Sequence, residues 1–233
     1  MGDNNSGERL AATVMLVRDG AQGLETLMMQ RPRRGSFADA WVWPGGAVDA
    51  EDFADTDAAT ASDISITSVP AEAAALPQEL LATRNAAGRE LHEETGMRAT
   101  GLVPYALWSP PGDTSPKFRT WFYAASEFSG VPVPHELEVA ALEWVCPREM
   151  LAAHARDEIT LVVPTWVTLW QLEQLGSVER VVQRAQTGPF ELYATYYERE
   201  EQVFYWSGDT LHGDCGIHRL ETASRPWRYR REE

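Results

Sequence analysis

RELHEETG, residues Arg89 to Gly96, sets three glutamates and an arginine in eight positions. Read as a helix, Glu90, Glu93 and Glu94 fall at i, i+3 and i+4 and crowd onto one face. Like charges at that spacing repel, so the face is either fully solvated or fronted by something positive, a metal ion or an arginine. The surrounding segment, Glu79 to Thr95, holds alanines, leucines and charges without proline, and Gly96 supplies a stop, which predicts a helix. Ala87 and Leu91, four apart, give that helix an apolar stripe beside the acidic one.

Upstream, Ala11–Val17 and Leu24–Gln30 are apolar, partly β-branched runs around the polar stretch Arg18–Gly23, which reads as a hairpin. Trp41–Trp43 predicts a short strand stopped by Pro44-Gly45-Gly46, where proline ends a ladder and glycines permit a tight loop. From Asp52 to about Gln78 the texture changes to Ala, Asp, Ser and Thr with two prolines, too small and polar to hold much core. We take residues 52–80 as a surface insertion, with a short helix near Ala71–Leu76. Downstream, Gly101–Trp108, Phe118–Ala125 and Val139–Val145 predict strands, and prolines at 147 and 164 each begin a helix, the second ended by Gly176. Phe190–Tyr197 and Gln202–Trp206 are strand-like with no place assigned, and Arg225–Arg231 (RPWRYRR) reads as a solvated tail.

The 233 residues carry 20 Lys and Arg against 35 Asp and Glu, a formal charge of −15 that repels nucleic acid polymers and anionic lipid at long range. Lys117 is the only lysine, so nearly all positive charge is arginine, the side chain suited to gripping phosphate oxygens in pairs. Cys146 and Cys215 stand far apart and outside any cluster with metal spacing, as expected of a reduced, cytoplasmic protein. The first ten residues lack the basic and apolar regions of a signal peptide, and no apolar run approaches membrane-spanning length.

A two-glycine loop followed by a helix with clustered carboxylates suits a hard divalent cation bound through oxygen, magnesium or manganese. Such an ion partners well with phosphate oxygens, which points to diphosphate-containing compounds. The residues also resemble a family. WPGGAVDAED (Trp43–Asp52), then Arg89-Glu90-Leu91-His92-Glu93-Glu94-Thr95-Gly96-Met97, is similar to the signature of the Nudix hydrolases. Two departures stand out. Where the family has a glutamate six residues after the second glycine, this chain has Asp52 beside Glu51. Gly46 and Arg89 are 43 positions apart against 14 in the family pattern, so 29 residues are additional. Loop closure entropy rises only logarithmically with length, so the helix tolerates such an insertion. An interrupted box, with Lys117–Phe122 (KFRTWF) and Leu161–Leu172, resembles the subgroup that includes coenzyme A diphosphatases.

The resemblance implies that Glu93 and Glu94 bind metal, that Glu90 is a ligand or near-ligand, and that Arg89 holds Glu90 or a neighbour in place. Glu138, six residues before Trp144, resembles the family's downstream glutamate, a ligand or the base that deprotonates water; His135 and Glu136 are neighbours able to take that role. The bland alternative for the glutamates is a solvated helix face, and for Arg89 an ordinary i, i+4 contact with Glu93. For the substrate, Gly45 and Gly46 form the loop, and Arg31 in QRPRRG resembles an arginine that Nudix enzymes place near the substrate. Lys117 and Arg119 alternate along a strand, project to one face and are candidates for phosphate contact. Trp41, Trp43, Trp108 and Trp121 read as core, with base stacking the alternative.

These features predict a Nudix-type α/β/α sandwich with a mixed central sheet, with residues 1–175 as catalytic domain and 176–233 as a C-terminal extension. The expected activity is magnesium- or manganese-dependent hydrolysis of a diphosphate linkage, in coenzyme A or acyl-CoA. Alternatives are oxidised deoxynucleoside phosphates, ADP-ribose or dinucleotides, or a non-hydrolytic nucleotide sensor. The expected partner is a small diphosphate, with neither nucleic acid polymer nor membrane, and a homodimer is plausible by resemblance.

Overall fold

The computed structural model describes residues 8–35, 37–54 and 77–232. Strand β1 (Glu8–Gly20) turns tightly into β2 (Gly23–Gln30), with Gly20 facing Gly23 and Val17 facing Thr26. Every side chain from Ala11 to Val17 is buried, because β1 is covered on both faces and its sequence is a continuous apolar run rather than an alternating one. Short strands β3 (Ala40–Val42) and β4 (Gly45–Ala47) flank Pro44, and a 3-10 turn at Ala50–Phe53 follows. Helix α1 (Pro77–Thr95) comes next, then β5 (Arg98–Thr100), β6 (Val103–Ser109), β7 (Lys117–Ala125), β8 (Glu127–Ser129) and β9 (Ala141–Val145).

Helices α2 (Pro147–Ala155) and α3 (Val163–Leu175) both carry proline in the first turn, where its missing N–H costs nothing. They bracket the two-residue strand β10 (Thr160–Leu161). Gly176, with φ of 70°, ends α3 in the left-handed conformation that glycine adopts without strain. Helix α4 (Val178–Thr187) leads to β11 (Glu191–Ala194), and β12 (Tyr196–Glu198), β13 (Val203–Tyr205), β14 (Ile217–Glu221) and β15 (Arg228–Glu232) complete the chain.

The main sheet runs β10-β3-β2-β1-β7-β6-β11, with β4 also on β1 and β9 also on β2. It is mixed: β1 with β7, β6 with β11 and β3 with β10 are parallel, and the other pairs are antiparallel. Period-2 alternation sends Ala12, Val14 and Leu16 of β1 to one face, against Leu80, Leu81, Ala87 and Leu91 of α1. Met15 and Val17 go to the other, against Met150, Trp166, Leu169 and Val181 of α2, α3 and α4. The molecule is therefore an α/β/α sandwich. Trp41, Trp43, Trp108 and Trp121 are all buried in these two cores.

Two sequence expectations are corrected. Residues 52–80 are not uniformly surface: Asp52, Glu79 and Leu80 are buried, and α1 already begins at Pro77. The expected helix at Ala71–Leu76 lies outside the described residues. The arginine-rich end is not a solvated tail. It forms β15 at the edge of a four-stranded antiparallel sheet, β12-β13-β14-β15, with the Tyr229 hydroxyl 2.9 Å from His218 Nε2 and Arg231 donating to Glu191 at 2.7 Å. Leu220 of β14 and Trp206, just after β13, complete the same core as α3 and α4, so residues beyond Gly176 pack into the body of the fold.

Candidate active site

The glycine loop is fixed first. Pro44 offers its carbonyl to the Val14 N–H at 2.9 Å and the Thr13 hydroxyl at 2.7 Å, and β4 then runs antiparallel along Ala11–Thr13. A Cβ on Gly45 would lie 2.3 Å from the Ala12 carbonyl oxygen, and one on Gly46 would lie 2.3 Å from a Glu90 carboxylate oxygen. Position 45 needs glycine because backbone approaches too closely for any side chain, and a side chain at 46 would displace the Glu90 carboxylate. The loop is thus pressed between β1 and α1.

Arg89 organises the acidic face of the helix. Its guanidinium forks onto Asp52, Nη2 to Oδ2 at 2.8 Å and Nε to Oδ1 at 3.1 Å, the bidentate geometry that makes arginine–carboxylate pairs strong. The same group donates to Glu90 at 2.8 Å, to the Ala47 carbonyl at 3.1 Å and, more loosely, to Glu93 at 3.3 Å. Its pKa is raised further above the ordinary arginine value, chiefly by the Asp52 hydrogen bonds. Asp52 also accepts the Asp49 N–H at 2.8 Å, and its carbonyl takes the Asn85 amide at 2.9 Å. The two chain segments bordering the insertion are therefore clamped together across α1.

Glu94 is the buried member of the cluster. It is 5% exposed, and its carboxylate accepts the Gly45 N–H at 2.8 Å. Burial pushes its pKa up to about 8; the Gly45 bond opposes the rise, and the charges of Glu90 and Glu138 add to it. Arg31 is near enough for its charge to stabilise the Glu94 anion, and the Arg31 Nε is itself buried without a hydrogen-bond partner among the described residues. Glu90 is also pushed up, by burial first, against the pull of Arg89. Glu93 points outward with about half its side chain exposed.

The loop after β8 brings in Glu138. Val133 and His135 donate their N–H groups to the Thr95 and Glu94 carbonyls at 2.8 and 3.0 Å, so the loop caps the C-terminal end of α1. Glu138 is solvent-exposed, 3.8 Å from the His135 Nδ1, and its charge reaches both Glu90 and Glu94. Glu136 is exposed on the same loop. His92 lies at 3.0 Å from an Arg98 guanidinium nitrogen.

Among the described residues no three acidic, histidine or cysteine side chains already converge as a preformed cage. The donor set nevertheless fits a hard cation. Glu90 feels the charges of Glu93 and Glu138, and Glu94 those of Glu90 and Glu138; each carboxylate has about four lone-pair sites, so those bonded to Arg89 or Gly45 keep acceptor capacity. A divalent ion would offset the burial that chiefly raises the Glu94 pKa and the lesser repulsion from Glu90 and Glu138.

No protein-family model and no curated protein matches the sequence. Solved structures match the shape. A NUDIX hydrolase from Alicyclobacillus acidocaldarius superposes with a TM-score of 0.62 at 23% identity, over 78% of this chain and 98% of that one. The chain has the Nudix fold. The NUDIX domain of Shewanella oneidensis NrtR, crystallised with ADP ribose, superposes at 0.51 with 15% identity, over 72% and 87% of the two chains.

On this Nudix fold Glu90, Glu93, Glu94, Arg89, Gly45, Gly46, Glu138 and Arg31 are brought together, while Lys117 and Arg119 are not. Arg119 ion-pairs with Glu79, which also accepts the Trp121 indole N–H at 3.0 Å. Glu79 lies 15 residues before Glu94 on α1, about 22 Å along the axis at 1.5 Å per residue. Arg119 is thus a structural cation at the far end of the helix, a correction to its assignment as a phosphate contact, and Lys117 lies two residues further along the same strand end. Sequence reasoning missed Asp49, Asn85 and the Ala47 carbonyl. Asp49 and Asp52, three apart as in a capping box, were the available signal.

Proposed function

We propose that the protein is a divalent-metal-dependent hydrolase of the diphosphate linkage in a nucleoside diphosphate derivative. The observation that carries this is Glu94: a buried carboxylate that, among the described residues, has a single backbone N–H as hydrogen-bond donor and lies within reach of the charges of Glu90 and Glu138. Glu90, Glu93 and Glu94 would hold magnesium or manganese, which supplies charge neutralisation at the phosphoryl centre and a more acidic water. Arg89, locked by Asp52, fixes Glu90 and steadies Glu93. Glu138, exposed beside His135, is the group placed to take the proton from the attacking water. The water oxygen bonds to one phosphorus, the bridging P–O bond breaks, and two phosphate-bearing fragments leave. Arg31 faces the same region and pairs with diphosphate oxygens.

Coenzyme A or an acyl-CoA is the substrate we favour, on the interrupted box and its similarity to coenzyme A diphosphatases. A panel of CoA, acyl-CoA, ADP-ribose, dinucleotides and oxidised deoxynucleoside triphosphates, incubated with magnesium or manganese and resolved by product chromatography, tests it. CoA turnover to two phosphate-bearing products is the expected result. Turnover of ADP-ribose or dinucleotides alone overturns the substrate. Nucleotide binding with no metal-dependent product overturns the hydrolase and favours a sensor.

A further inference from the structure

Two loops beside the acidic cluster carry apolar side chains into solvent. The first, residues 31–35 and 37–39, joins β2 to β3; the second, residues 130–140, joins β8 to β9. They are neighbours: the Ala140 N–H donates to the Gln30 carbonyl at 2.8 Å, and Arg34 Nη2 donates to the Leu137 carbonyl at 3.2 Å. The second loop is bonded to the end of α1 that carries Glu93 and Glu94, through Val133 and His135.

Phe37 is 59% exposed, Leu137 68%, Val131 75% and Val133 61%. A lone exposed apolar side chain needs no explanation, but four on adjoining loops at one end of one helix form a group. Phe37 is held there. Its φ is 56° and that of Asp39 is 64°, a region bulky residues seldom occupy. Bonds from the Ala40 N–H to the Phe37 carbonyl, from the Asp39 N–H to the Pro32 carbonyl and from the Gln30 amide to the Asp39 carboxylate at 2.9 Å fix the loop. The same loop carries Arg31, Arg33 and Arg34, so positive charge suited to phosphate lies next to apolar surface. A flat base is recognised by stacking on aromatic planes. Three of these four side chains are aliphatic and one is a phenyl ring, which matches a flexible hydrocarbon chain better.

Building on the diphosphate-hydrolase proposal above, we propose that Phe37 and Leu137 form a specificity rim. It receives an aliphatic group of a substrate whose diphosphate lies between the loop arginines and the acidic cluster.

Two methylene-bridged analogues of ADP test the rim, one an octyl and the other a methyl ester, bound with magnesium and followed by calorimetry. The methylene bridge resists cleavage, so binding is read whether or not the protein hydrolyses the anhydride. Wild type should prefer the octyl ester by at least about tenfold, the effect of burying two methylenes. Phe37→Ser and Leu137→Ser should each abolish most of that preference and leave the methyl ester's affinity unchanged. Equal affinity for both esters in wild type overturns the proposal, as does weakening of both alike in the variants. Loss of a dimer in the variants with the octyl preference intact assigns the rim to an interface between copies and also overturns it. Intact octyl preference with an uncleaved natural anhydride overturns the hydrolase proposal alone, and failure to bind either ester overturns both.

Discussion

Glu79 and Glu94 lie at opposite ends of α1, both buried, and are treated in opposite ways. Glu79 meets the Arg119 guanidinium and the Trp121 indole, so its charge is balanced by groups that belong to the fold. Glu94 receives one backbone N–H, while burial first and then the charges of Glu90 and Glu138 push it towards its protonated form. Burying a carboxylate is tolerated when it is paired. The pairing at Glu79 is internal, whereas Glu94 has, among the described residues, one backbone donor and the nearby charge of Arg31. On the function proposed above, the difference separates a carboxylate that holds the fold from one that binds a cation, on a single helix.

The largest expected effect belongs to the ligand end. Glu93→Gln should reduce turnover by about a thousandfold, the scale of losing one preorganised electrostatic contact. Its thermal midpoint should stay put, because the half-exposed carboxylate makes one long bond to Arg89. A large fall in the midpoint would erase the contrast. At the other end Glu79→Ala should do the reverse, costing about 3 kcal/mol in denaturant unfolding by stranding the largely buried Arg119, with the turnover of the folded protein preserved.

Asp52→Asn stands between these cases. Losing the charge opposite Arg89 should lower turnover by about tenfold, the scale of an outer-sphere partner, by letting the Glu90 and Glu93 side chains relax. Rescue by Asp52→Glu would tie the effect to charge rather than to local packing.

The smallest effect is pH-dependent. With Glu94 raised from an ordinary 4.5 to about 8, folding favours its protonated form, so this contribution to stability is complete below pH 4.5 and is lost as pH rises through about 8. In metal-free protein the thermal midpoint of wild type should therefore fall relative to Glu94→Gln across that window. Parallel profiles would contradict the burial-driven shift.

Much of the ligand end was legible because its information is local. Glu90, Glu93 and Glu94 share a face through helical spacing alone, and Gly45-Gly46 mark a tight loop by composition. The structural end was not, because its partners are distant in sequence: Arg119 and Glu79 are 40 residues apart, and the Asp52–Arg89 fork spans 37 across the insertion. The arginine-rich end misled for the same reason. Charge suggested solvent, while Arg231 pairs with Glu191 and Tyr229 packs against Trp170. Helix α4 escaped notice, although Ser177 caps it by accepting the Arg180 N–H.

The central claim is that Glu94 and its neighbours form a cation site. Calorimetric titration of manganese into wild type and Glu94→Gln at pH 8 tests it most directly. Wild type should bind saturably, with protons released as Glu94 ionises, and the variant should bind at least tenfold more weakly, roughly the cost of one lost ligand. Equal affinity in the two proteins, or no binding to wild type, would contradict it.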